Sequence, residues 1–468
     1  MPVLTHGYAH FQPVTDLGPA VIAGISGTGA AAYSSDQYGQ PRLLVSNTIW
    51  NLLPNAGQND GSGWQHDLDR CCDAHAAQGF NGIESCVFSD AGNYTDYGGG
   101  RTWDGVLPFV SGGDPATGLN NAFWARVDYF VAACARNGIT AILNLAYGDA
   151  NTGASSLAGL STGQCQAFGT ALAARYAAAR NILWFFGGDY YGTGSSFDDL
   201  LSAILTGLRG GGDAHAVSIE NSSESTSRHS LLSGNAVETW GNANAQFNAL
   251  YIYIQTYYGI RYAYGEASPV PPIWMDGYYY KSGAGPYFGS YDRAMRQYVW
   301  WVLSSGGRGV NVASESIYPW DSSGYAELTG EYFFTHTARA IRAAVEALPG
   351  WHKLQPDLSN ALVTAGGGTP VASDSGTHYG EATTDTFVTA SRAPDKSLAL
   401  IYLSHAATIT IDESQLAAGY LAKWIDPDTG TVYAGTPGTT YNSGAADGSK
   451  PASNAHGDPD WVLALRAP

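Results

Sequence analysis

Charge is scarce in this 468-residue chain, where Asp, Glu, Lys and Arg together make up only 13% of residues. Cations are the scarcer half: 22 Lys and Arg stand against 40 Asp and Glu, leaving a net charge of −18. A field of that sign repels phosphate backbones and anionic headgroups, so nucleic acid and anionic membrane are excluded as partner classes. The apolar runs fall far short of the ~20 residues that span a bilayer, and no membrane span is expected. The opening MPVLTHGYAHFQPVTDLG has neither the basic segment nor the apolar core of a secretory leader. Cytoplasmic residence or leaderless export, for example on a phage particle, are the locations this predicts.

Metal and disulfide chemistry are equally thin. The five cysteines (Cys71, Cys72, Cys86, Cys134 and Cys165) are odd in number and form no C-x-x-C pair. Buried free thiols are their default reading. The eleven His show no H-E-x-x-H spacing, and DPDTG (Asp426 to Gly430) lacks the rest of a calcium loop and reads as a turn. No metal or organic cofactor is expected. The 59 Gly follow no G-X-Y period, which excludes a collagen helix.

What is present is apolar and aromatic: 44% hydrophobic residues, with 13 Trp, 30 Tyr and 15 Phe. That is enough to fill a large core. It also suits neutral oligo- or polysaccharide, whose C–H faces stack on rings while the hydroxyls bond short polar side chains. From Arg42 to about Ala347, short β-rich runs alternate with helical stretches. The runs are Arg42 to Thr48, Gly82 to Phe88, Thr140 to Ala146, Asn181 to Asp189, Ala216 to Asn221, Ala249 to Gln255, Pro271 to Gly277 and Gly309 to Glu315. Each is apolar on both faces, as strands covered on both sides require. Helical patterns run from Gln65 to Gln78, Asn121 to Asn137, Thr162 to Ala179, Ser196 to Arg209, Ser290 to Leu303 and Glu331 to Leu348. Between the fifth and sixth runs the helical pattern is weak. Eight such units predict an α/β fold, a (β/α)8 barrel, over residues 41–348. An open doubly wound sheet fits less well, because no G-x-G-x-x-G follows the first strand. After Pro349 helical periodicity stops, and short strands between Gly, Pro, Asn and Asp clusters predict a small β-sandwich over 349–468. Residues 1–40 read as a lead-in that could add a strand to either domain.

Barrel active sites lie at the C-terminal ends of the strands, and that rule yields a short list. It comprises Asn47 and Trp50 after strand one and Asn144 in strand three. Asp189, Tyr190 and Tyr191 follow strand four, and Glu220 ends strand five. Trp274, Asp276 and Tyr278 mark strand seven, and Glu315 ends strand eight. Trp240 is added as a sugar-stacking candidate. Carboxylates and aromatics crowd this rim while cations are nearly absent, as glycoside hydrolysis requires. Asp189 stands out because ILWFF and two glycines precede it. Asp276 lies in a D-G dipeptide, by default a turn, and gains weight only as the partner of Asp189 across the mouth. GLSTG (Gly159 to Gly163) matches a nucleophile elbow but lies too far beyond its strand to form one.

At these residues the chain resembles the apiosidase-like glycoside hydrolase family, a (β/α)8 catalytic domain followed by a β-sandwich that carries a collagen-binding label. LLVSNTIWNL, AAQGFNGIES, NILWFFGGDYY and RQYVWWVLSSGGRGVNV follow in the family's order, and KWIDPDTG and the terminal DWVLAL resemble its sandwich. The resemblance implies Asp189 as general acid/base, and it places Asp276 where the family usually carries a Glu nucleophile. Asn47 stands where the family usually has Asp, and its strand-five His is replaced around Glu220. These departures suggest a glycoside other than apiose, with a pentofuranoside such as an arabinofuranoside as the leading expectation.

The expected activity is therefore that of a retaining glycosidase. Its two carboxyl groups should lie about 6 Å apart, just above the usual retaining spacing of about 5–5.5 Å. The rival expectation is a non-catalytic carbohydrate-binding or phage-tail protein on a hydrolase-like scaffold, which a blocked barrel mouth or splayed carboxylates would favour.

Overall fold

The computed structural model describes residues 18–468 apart from 59–60, 89–99, 112, 150–153, 156, 158, 191–195, 223–224, 229–230, 232–238, 254, 276–278, 281–290, 315–316, 322–323, 331–336 and 372–384. Eight parallel strands form its centre: β1 (Leu44–Thr48), β2 (Gly82–Cys86), β3 (Thr140–Asn144), β4 (Ile182–Tyr190), β5 (Val217–Asn221), β6 (Asn248–Tyr251), β7 (Pro272–Trp274) and β8 (Gly309–Ser314). A helix follows each in turn: α1 (Trp64–Gln78), α2 (Asn121–Arg136), α3 (Thr162–Tyr176), α4 (Ser196–Gly210), α5 (Thr239–Asn244), α6 (Thr256–Gly265), α7 (Tyr291–Ser304) and α8 (Ala338–Glu346). The strands pair in the order β5-β4-β3-β2-β1-β8-β7-β6. The two ends of that order meet where Gln246 N donates to Val217 O (2.8 Å) and Ser218 Oγ to Phe247 O (2.6 Å). The curled sheet is a (β/α)8 barrel with its seam between β5 and β6.

Both faces of the strands are buried, for different reasons. Leu44, Ile142, Leu183, Phe185, Phe247, Ala249, Ile273 and Met275 pack on one another as the barrel's interior floor. Val45, Ile83, Leu143, Trp184, Phe186, Ile219 and Val312 belong to the larger cluster shared with the helices. The lead-in segment forms its own antiparallel hairpin, Ile22–Ser26 with Tyr33–Asp36. Ile22 plugs the barrel bottom, its N–H donating to Thr140 Oγ1 (2.9 Å). The GLSTG motif begins α3: Ser161 accepts from Gln164 N at 3.3 Å, a capping box rather than a nucleophile elbow.

Beyond the barrel, β9 (Gln355–Pro356), β10 (Val363–Ala365), β11 (Thr389–Arg392), β12 (Leu398–Leu403), β13 (Thr408–Ile411), β14 (Leu421–Ile425), β15 (Val432–Ala434), β16 (Thr440–Asn442) and β17 (Trp461–Arg466) build two antiparallel sheets. Their orders are β9-β11-β12-β17-β14-β15 and β10-β13-β16. The period of two is plain on β12. Ala399, Ile401 and Leu403 fill the sandwich with Trp424 and Trp461, while Leu398, Leu400 and Tyr402 join the barrel's cluster. Helix α7 is the barrel's contact element. Its fully buried Arg296 pairs with Asp460 (3.0 Å) and Asp458 (2.6 Å), and Trp300 Nε1 donates to Pro427 O (2.8 Å). Pro427 lies in the DPDTG segment, which is a turn: Asp426 Oδ1 accepts from Asp428 N and Thr429 N. All five cysteines are buried and none is in a disulfide.

Candidate active site

Strand alternation decides which predicted residues face the lumen. On β1, Thr48 points inward and Asn47 outward. Asn47 Nδ2 donates to His75 Nε2 (3.0 Å) on α1, and His75 Nδ1 donates to Cys71 O (2.8 Å). Burial lowers the His75 pKa to about 4, so the ring is a neutral acceptor. Tyr190 likewise turns to the helix layer, its hydroxyl donating to Asp198 Oδ1 (2.9 Å) and its ring 4.6 Å from Phe197. Trp240, on α5, packs edge-on against Phe186 and donates to Ser202 Oγ (3.1 Å). These three placements correct the sequence reading: Asn47, Tyr190 and Trp240 serve the layer between barrel and helices.

Trp50, Asn144 and Glu220 lie at or beyond the C-terminal ends of their strands. Trp50 is buried beside Cys86 and Tyr147, and its ring lies near-parallel to Tyr318, with centroids 6.0 Å apart and planes 5° apart. Asn144 spends both ends of its amide on the backbone: Nδ2 donates to Gly187 O (3.0 Å) and Oδ1 accepts from Ala146 N (3.2 Å). It therefore pins the end of β4 to β3. Glu220 is buried on β5, in register with Gly187.

The Gly187-Gly188-Asp189 segment ends β4 within this cluster. Gly187 has φ +82, and a Cβ there would lie 2.2 Å from Glu220 O. Gly188 has φ +128, and its Cβ would lie 2.8 Å from Tyr147 Cδ2 and 3.0 Å from Trp50 Cη2. Only glycine satisfies both the dihedrals and the closeness. The strand thus lays the Gly188 backbone against Trp50 and Tyr147, and Asp189 is the next residue. Asp189 and Trp274 are described through their backbone alone, and Tyr191, Asp276, Tyr278 and Glu315 lie outside the described residues. The carboxyl separation expected for Asp189 and Asp276 lies outside them as well.

One lumenal group escaped the sequence reading. Glu84, mid-way along β2, accepts from Thr48 Oγ1 (3.1 Å) and from Asn311 Nδ2 on β8. Burial pushes its carboxyl up to about 7, against the opposing pull of those two hydrogen bonds. The available signal was a lone acid inside the run GIESCVF, where both faces are covered. Among the described residues no group of His, Cys, Asp or Glu is placed to hold a metal, and no helix is long and apolar enough to cross a membrane.

The same architecture, a (β/α)8 barrel packed on a β-sandwich, is found in solved structures. A glycoside hydrolase aligns over 96% of this chain and 97% of its own, with a TM-score of 0.70 and 16% identity. A glycoside hydrolase family 5 protein from Bacteroides vulgatus ATCC 8482 covers 96% and 93%, at 0.69 and 16%. A noncanonic maltogenic alpha-amylase, AmyB from Thermotoga neapolitana, covers 91% and 99%, at 0.54 and 7%. At these identities the likeness is one of fold. No curated protein matches the chain. The family assignment comes from sequence models: residues 30–353 match "Apiosidase-like, catalytic domain" and residues 378–466 match "Putative collagen-binding domain of a collagenase". The chain belongs to the apiosidase-like family and is a glycosidase.

Proposed function

We propose that the protein is a retaining glycosidase acting on a pentofuranoside, an arabinofuranoside or apiose-like linkage in a neutral polysaccharide. In this reading Asp189 protonates the departing oxygen and then activates water, while Asp276 forms the glycosyl-enzyme intermediate. Trp50, Tyr147 and Tyr318 together are taken as the apolar wall against which a sugar ring packs. Glu220, Trp274, Tyr278, Tyr191 and Glu315 complete the proposed rim. The catalytic unit is taken as residues 41–348, with 349–468 as its packed companion.

The observation that carries this reading is the end of β4, where two glycines that tolerate no Cβ set the Gly188 backbone against Trp50 and Tyr147, one residue before Asp189. The departures from the family at Asp276 and around Glu220 support a sugar other than apiose. The test is a screen of nitrophenyl pentofuranosides and arabinans with Asp189→Asn as control. Release of arabinose by the wild type and not by the variant is expected. Activity confined to hexopyranosides would overturn the substrate assignment.

A further inference from the structure

The glycosidase reading leaves one enclosed acid without a task. Glu84 stands in the lumen one level beneath Cys86 and Asn144, which are paired in register above it. Its Oε2 accepts from Thr48 Oγ1 and Asn311 Nδ2, and the same amide reaches Thr48 Oγ1 at 2.9 Å. Strands β1, β2 and β8 are thereby clasped from inside the barrel. Glu84 Oε1 and Asn311 Oδ1 are buried and have no hydrogen-bond partner among the described residues.

A carboxylate with one oxygen bare in a low-dielectric interior is costly, whereas the neutral acid is tolerated. Among the described residues, none that faces it carries a positive charge. β1 presents Ser46 and Thr48, β3 presents Ile142, β8 presents Asn311 and Ala313, and Cys86 stands above on β2 itself. Higher in the lumen stands Glu220 on β5. Asp189 ends β4, and in sequence Asp276 and Glu315 follow β7 and β8. These are further acids, and none of them supplies a positive charge to Glu84.

The geometry points to Glu84 as a positioning residue that works as a neutral acid. While it keeps its proton, the Thr48–Glu84–Asn311 clasp holds the rims of β1 and β8, and hence Trp50, in place. Loss of that proton leaves a charge on the bare Oε1 that only water can solvate, and entry of that water between the strands displaces the β1 and β8 rims and sets the upper pH limit of the enzyme. This inference rests on the glycosidase reading, and its test separates the two.

The test uses a dinitrophenyl arabinofuranoside, whose leaving group departs without protonation, so the step that kcat/KM reports does not need the Asp189 proton. Wild-type kcat/KM should fall about tenfold per pH unit above about 7. The Glu84→Gln variant, scaled to its own acid plateau, should show no such limb for at least about one further unit. Thr48→Val removes a hydrogen bond that favours the charged form and should move the limb upward, which keeps the test alive if Glu84→Gln does not fold. Infrared titration gives a readout independent of turnover: a protonated carboxyl band present at about pH 6 in the wild type and lost in Glu84→Gln. An unchanged limb in Glu84→Gln, or no such band in the wild type, overturns the inference. A silent substrate with the band present overturns the pentofuranoside reading and leaves Glu84 as the neutral acid.

Discussion

Gly188→Ala is the smallest change that should disable the site. The residue holds φ +128, and the added Cβ would sit 2.8 Å from Tyr147 Cδ2 and 3.0 Å from Trp50 Cη2 and Cζ2. Two costs add. Holding an L-residue at that dihedral costs about 1–3 kcal/mol, and forcing a methyl into a packed cluster costs about 1–3 kcal/mol more. Relief comes from displacing either the rings or the β4 end by several tenths of an ångström. Each moves a group beside which Asp189 is proposed to act. A misplacement approaching 1 Å lowers turnover about 100-fold, so kcat/KM of a purified, folded Gly188→Ala protein should fall by roughly that factor. Its melting temperature should drop by several degrees. The assay is nitrophenol release beside circular dichroism, so that unfolding and misplacement are read separately. Activity within about threefold of wild type would show that the cluster does not position the chemistry.

Three further outcomes follow from the packing and the buried charges. Arg296→Ala strips the partner from Asp460 and Asp458 between α7 and the sandwich. It should cost about 3–5 kcal/mol in a urea titration, and a loss below about 1 kcal/mol would mean water already screens the cluster. Deleting everything after Pro349 exposes the α7 face on which Leu398, Leu400 and Tyr402 pack. The truncated barrel should aggregate, and a soluble, fully active one would contradict the interlocked core. The Glu84 carboxyl is raised from 4.5 to about 7 in the folded protein, so its contribution to stability is fully present below about 4.5 and lost as pH rises through about 7. That loss is on the order of 3 kcal/mol. His75 titrates the opposite way but is common to wild type and Glu84→Gln, so it cancels in their difference. Stability curves that run parallel across this window would contradict the buried neutral acid.

Sequence periodicity located all eight barrel strands and most of the helices, because length, alternation of element types and turn residues are local properties. Trp424 and Trp461, in the strand-like runs KWIDPDTG and DWVLAL, are both fully buried. Which side of a strand faces the lumen was not legible. With both faces buried, Asn47 and Thr48 look alike in sequence, yet a step of one residue sends the first to His75 and the second to Glu84. The same parity misassigned Tyr190. Glu84 was passed over because it interrupts a strand that otherwise reads as apolar core. Helix α6 was missed because TYYGIRYAYG carries two glycines and aromatics of weak helical preference, and its helix is held by packing on α7. The glycine pair before Asp189 was legible. The reason for it lies in Trp50, Tyr147 and Glu220, far away in the chain.

The central claim, a retaining glycosidase whose nucleophile is Asp276, is tested most directly by trapping the intermediate. Incubation with a fluorinated pentofuranoside that forms the glycosyl-enzyme but hydrolyses slowly, followed by mass spectrometry of the digested protein, locates the attached sugar. One glycosyl group on the peptide carrying Asp276, absent from Asp276→Ala, is the predicted result. A sugar on Glu220 or Glu315, or turnover with inverted product configuration and no adduct, would contradict it.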